Sequence, residues 1–199
     1  MTTQAAVKNP RLIAFAIPLL GILAGVQGTD PNIAATALPE ASKALSMQGD
    51  LQALAASIST LALAATVVST GLLADRIGRR KVLLAALIVS IIGDLIVVLA
   101  PQSTFYLAGR AIAGVGLGAV YGASFAYIRA VTTPQKLPQA IGVFTAVLMG
   151  FTVAFTFLGG ALSGIDWRLA FLVTPVVAAI ACFVGQLVLP SEPVVSTGK

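Results

Sequence analysis

Histidine is absent from the chain, and cysteine occurs once, at Cys182. A single thiol cannot close an internal disulfide, and without imidazole the usual ligand set of a zinc or haem centre is missing. No metal site and no cofactor are expected. Charge is scarce too: Asp, Glu, Lys and Arg make up 10% of the 199 residues, only seven of them acidic. A soluble domain typically has about a quarter of its residues charged, so a soluble enzyme is excluded. The strict alternation of apolar and polar residues that marks a membrane barrel strand is also lacking. The excess of bases, net +5 with pI near 9.8, does not indicate a nucleic-acid binder, because the bases flank apolar runs instead of covering a soluble domain.

What is present is apolar. Hydrophobic residues reach 58%, mean hydropathy is +0.99, and the charges sit at intervals between long uncharged runs. Crossing about 30 Å of hydrocarbon takes roughly 20 helical residues, and a helix satisfies its own backbone where water is absent. The sequence therefore reads as an all-α integral membrane chain in the lipid bilayer. Its six expected spans lie at about 12–38, 51–74, 81–100, 104–128, 137–164 and 169–189. They form one bundle over 1–189, followed by a short tail at 190–199. Pro101–Ser103 and Thr132–Pro138 supply turns, while Pro18 and Pro175 fall inside spans, where bilayer helices tolerate kinks.

Lysine and arginine are unevenly placed. Nine of the twelve (Lys8, Arg11, Arg76, Arg79, Arg80, Lys81, Arg129, Lys136 and Lys199) fall on one side, against Lys43 and Arg168 on the other. The positive-inside rule then puts both termini in the cytoplasm, for a multi-pass protein of the plasma or inner membrane. Ala35-Thr36-Ala37 imitates a signal-peptidase site, but it follows Asp30 well beyond the first apolar core, so the first span is expected to stay uncleaved.

Asp30, Asp94 and Arg110 are the ionisable residues inside spans. Such groups are costly in hydrocarbon and are candidate functional sites. At 1.5 Å per residue, Asp94 and Arg110 lie about 9 Å, and Asp30 about 12 Å, below the outer boundary, so all three can meet. Arg110 and one aspartate neutralise each other at the least. Gly114, Gly118 and Gly122, four residues apart, suit close helix packing. The G-x-G-x-G they overlap lacks the preceding strand of a nucleotide loop. A polar stripe on span five, from Gly142 through Thr152 to Ser163, fits either packing or cavity lining.

The loop Gly71-Leu72-Leu73-Ala74-Asp75-Arg76-Ile77-Gly78-Arg79-Arg80-Lys81 resembles the signature loop of the major facilitator superfamily, in the same place between spans two and three. Asp30 to Pro39 resembles the first-span motif of that family's drug:proton antiporters. Arg110 to Gly118 is similar to its fourth-span motif, with Ala113 in place of the usual glutamine. Span five lacks the family's Gly-Pro, having Phe155-Thr156 before Gly159-Gly160.

The resemblance implies half of a major facilitator fold, two inverted three-helix repeats rocking against a second six-span bundle. The implied activity is transport of a small molecule by alternating access, as proton-coupled efflux. Nutrient uptake, a non-transporting subunit and a fragment of a longer transporter are the alternatives. Asp30 is the expected proton carrier, with Arg110, Asp94 and Gln27 as further proton or substrate contacts. Gly71, Asp75, Arg76, Gly78, Arg79 and Arg80 form the conformational switch. A homodimer, or a separate partner chain, is expected to supply the second bundle, with Asp75 docking near Gln139 of the other bundle.

Overall fold

Apolar runs become helices here, and the breaks between them fall on residues that continue a helix poorly. A computed structural model describes residues 10–188, with side chains from 15 to 186 except 181; the expected tail, Lys8, Lys199 and the side chain of Arg11 lie outside what is described. The described residues form α1 (Pro10–Gln27), α2 (Asp30–Ala44), α3 (Asp50–Ile77), α4 (Arg79–Val98), α5 (Ser103–Val131), α6 (Leu137–Ser163) and α7 (Trp167–Val188). Among them α3 to α7 are long and apolar enough to cross a bilayer.

The first apolar run, expected as one continuous span over 12–38, is two helices. The Thr29 amide turns to Val26 O at 3.2 Å, so the carbonyl of Gly25 loses its regular partner. Two side-chain hydroxyls replace it: Thr29 Oγ1 and, from α6, Thr152 Oγ1, each donating at 3.0 Å. Pro31 has no amide hydrogen to offer the carbonyl of Gln27, four residues earlier. The carbonyl of Gly25 is thus satisfied by side chains, as interrupted helices at membrane depth require. The break leaves Asp30 as the first residue of α2.

Of the other joints only that between α3 and α4 is shorter. Gly78 links α3 to α4 at φ 109°, a conformation that L side chains rarely adopt. Pro134 lies in the α5–α6 connection, and Pro138 opens α6 where its missing N–H costs nothing. At the opposite end Arg168 ties α7 to α4: its Nε and Nη2 each donate at 3.0 Å, to Val98 O and Ala100 O. Its guanidinium also stacks 4.3 Å from the Trp167 ring centroid.

Helix α5 is the axis of the bundle, packed against α3 on one side and α4 on the other. Small residues make this possible. A Cβ on Gly114 would lie 2.2 Å from Ser59 O, and one on Gly118 would lie 2.6 Å from Leu63 O. On Gly122 it would come within 2.3 Å of Val67 O. The same device joins α1 to α6, where a Cβ on Gly25 would reach 2.5 Å from Leu148 O.

Two apolar cores result. One, toward the arginine-rich end, gathers Leu23, Leu87, Val120, Tyr127 and Phe144; the other gathers Ile33, Ala37, Tyr106, Trp167 and Phe171. Between them lies a thin polar layer.

Candidate functional site

Four helices contribute to that layer. α2 supplies Asp30, α3 Ser59, α4 Asp94 and α5 Arg110. All are buried, Asp94 and Arg110 with no exposed surface. Arg110 Nη1 forms an ion pair and hydrogen bond with Asp30 Oδ1, and Ser59 Oγ donates to Asp30 Oδ2 at 3.0 Å. The guanidinium of Arg110 also lies 5.6 Å from the ring centroid of Phe171. Tyr106 packs edge-on against Trp167 and Phe171, centroids 5.9 and 6.0 Å apart, forming an aromatic lid over the layer.

Asp94 is brought in by backbone contact. A Cβ on Gly93 would fall 2.3 Å from the Ala113 amide nitrogen, and one on Gly109 would fall 2.8 Å from Gly93 O. Residues 93–94 therefore lie flush against the turn of α5 that carries Arg110, and Asp94 is within electrostatic reach of both Arg110 and Asp30. Neither Asp94 oxygen has a hydrogen-bond partner among the described residues, nor do Arg110 Nε and Nη2. Of the two aspartates, then, it is Asp30 that holds Arg110.

Gln27 is buried on the last turn of α1, its amide nitrogen likewise without a partner. It sits at the helix break, beside Thr29 and Asp30. Ser59 and Tyr106 were not among the expected site residues. A serine or tyrosine in an apolar span carries no signal of its own, because its partner comes from another helix.

The loop between α3 and α4, with the residues expected to form a switch, makes a second constellation at the arginine-rich end. Gly71 is buried where α3 meets Gly122 of α5. Asp75 accepts from Arg79 Nε at 3.1 Å, pairs with Arg79 Nη2 at 3.0 Å, and faces Arg129 Nη2 of α5 at 3.5 Å. Arg76 is exposed, and Arg80 Nη2 donates to the carbonyl of Gln186 on α7. Asp75 is thus held by arginines of its own bundle, while about two fifths of its side chain remains exposed.

Long apolar helices packed through glycines around a buried ion cluster define a multi-pass membrane protein. The chain belongs to the Major Facilitator Superfamily, whose family model matches residues 20–199. It is 32% identical over 191 residues to an uncharacterized MFS-type transporter of Mycobacterium tuberculosis, covering 93% of this chain and 27% of the relative. It is also 32% identical over 168 residues to a rubrofusarin-specific efflux pump of Gibberella zeae, covering 83% of this chain and 30% of the pump. A dehydrocurvularin exporter of Alternaria cinerariae is 29% identical over 194 residues.

Among solved structures, a bacterial homolog of the human lysosomal transporter Spinster, inward-facing and unoccupied, superimposes with TM-score 0.76 at 17% identity. That match covers 96% of this chain and 46% of the other. The chain spans about a third or less of the curated relatives it matches.

Proposed function

We propose that the chain is one half of an exporter that moves a small, amphipathic molecule out of the cell by alternating access, in exchange for protons. The observation that carries this reading is the buried Asp30–Arg110 pair with Asp94 beside it, the buried charged side chains among the described residues. Buried charges are retained in membrane proteins where an ion or substrate pathway needs them. The named functions of the Gibberella and Alternaria relatives favour export over uptake.

The other half is a second six-span bundle, in a longer chain, an identical copy or a partner. Two faces offer it a surface: α3, with Leu61, Val68 and Leu72 exposed, and α6, with Met149, Val153 and Phe157 exposed. The packing order supports a three-plus-three repeat. With α1 and α2 counted as the first span, the first packs on the fifth, the fourth on the second and the third on the sixth. An inverted repeat exchanges these pairs among themselves. Both termini are cytoplasmic in this scheme, and the Asp75–Arg79–Arg129 cluster is the cytoplasmic latch that opens and closes with the bundle.

The test uses ethidium as probe. Cells producing the full-length protein that carries this chain are expected to accumulate less ethidium than controls, and a protonophore is expected to abolish the difference. Unchanged ethidium accumulation across a panel of cationic and neutral dyes, with the protein present in the membrane, would refute the reading.

A further inference from the structure

The polar layer holds two carboxyl groups, Asp30 and Asp94, and one guanidinium, Arg110. With all three ionised it carries a net negative charge in a water-poor interior, which is costly. One proton makes it neutral. The hydrogen bonds discriminate between the two acids. Asp30 takes Arg110 on one oxygen and Ser59 on the other, contacts that an ionised carboxylate makes best. Asp94 has no donor at either oxygen among the described residues, and a site without donors holds a neutral carboxyl at far less cost than a charged one.

We propose that Asp94, and not Asp30, holds the exchangeable proton, and that Asp30 with Arg110 is the fixed ion pair against which it is released. The groups around Asp94 fit this assignment. α5 presents Arg110 and α2 presents Asp30, while Tyr106 of α5 lies within reach of Arg110 and Asp30. α3 contributes the uncharged Ser59, bonded to Asp30, and α7 brings the Phe171 ring to Arg110. The charged Arg168 of α7 is occupied at the end of α4.

Release is a simple proton transfer: the Asp94 O–H bond breaks, and the proton passes to water on whichever side the layer is open. The carboxylate left behind then competes for Arg110, whose Nε and Nη2 are its unused donors. Deprotonation thus pulls α4 and α2 against each other through one guanidinium, a local event able to bias a two-state bundle.

This inference rests on the proton-coupled reading for its consequence, but its test reads the proton directly. Infrared spectra of the purified full-length protein in lipid at neutral pH should contain the C=O band of a buried carboxylic acid. Asp94→Glu should shift that band, whereas Asp30→Glu should leave it in place. Thermal unfolding gives an independent order. Asp94→Asn imitates the neutral acid and should melt near the wild type, while Asp30→Asn strips Arg110 of its anion and should melt lower. A missing band, a band moved only by Asp30→Glu, or the reverse melting order would overturn the assignment. A band on Asp94 without proton-driven ethidium export would leave the assignment standing and defeat the transport reading instead.

Discussion

Ser59 shows how one side chain in an apolar helix can govern a charge on another. It gives Asp30 Oδ2 a donor at 3.0 Å, and Ser59→Ala leaves that oxygen buried and unpaired. A hydrogen bond to a charged group contributes about 1.5–3 kcal/mol, so the variant should melt measurably lower in detergent while keeping its fold. Arg110→Ala is expected to be far harsher, about 3–5 kcal/mol, because it abandons a buried anion. A collapse of the monodisperse peak in fluorescence-detected size exclusion would report it; a normal peak would contradict the pairing.

At this scale the sequence was informative about which residues mattered and silent about who pairs with whom. Asp30, Asp94 and Arg110 stand out as charges inside apolar runs, and helical rise puts them at similar depth. Which aspartate faces the guanidinium depends on the rotation of each helix, set by contacts such as Gly93 against Ala113 and Gly114 against Ser59.

Helices here are held by backbone approach, and substitutions that block it have distinct costs. Gly118→Val places a side chain where the Leu63 carbonyl already stands. Overpacking of this kind costs typically about 1–3 kcal/mol, so the variant should lower the yield of folded protein, with Gly150→Val, at a position open to the surroundings, as the tolerated control. Gly78→Ala strains the α3–α4 joint at φ 109° and should disturb the geometry of Asp75 and Arg79 on either side of it.

Most helices could be read from uncharged runs and their prolines: α3 covers Asp50–Ile77 where 51–74 was expected, and α5 covers Ser103–Val131 where 104–128 was expected. The division of the first run could not. Hydropathy falls over Gln27 to Asn32, but the break itself is stabilised by Thr152, a residue from a distant helix that captures the carbonyl of Gly25. Gly28, Asp30 and Pro31 were the local signs, and in a bilayer they do not by themselves distinguish a kink from a break.

For the whole molecule the arrangement has two ends and exposed apolar faces on α3 and α6. A cysteine at Ser103, in a Cys182→Ala background, should be labelled from outside by an impermeant maleimide in intact cells. Labelling only after permeabilisation would reverse the proposed orientation. At the other end, Arg129→Ala removes the α5 partner of Asp75 while Arg79 remains. An exposed pair of this kind contributes only about 0–1 kcal/mol, so folding should be unaffected. Ethidium export should nonetheless change if the pair helps set the balance between open and closed forms.

If the polar layer exchanges protons for cargo, the pH inside a sealed vesicle must change as cargo leaves. Liposomes containing the full-length protein are loaded with ethidium and a trapped pH indicator, then diluted into dye-free buffer. As ethidium leaves through wild-type protein the lumen should acidify, and with Asp94→Asn ethidium exit should no longer be accompanied by acidification. Ethidium leaving through the wild-type protein with no change in luminal pH, or Asp94→Asn acidifying the lumen as fast as wild type, would contradict the account.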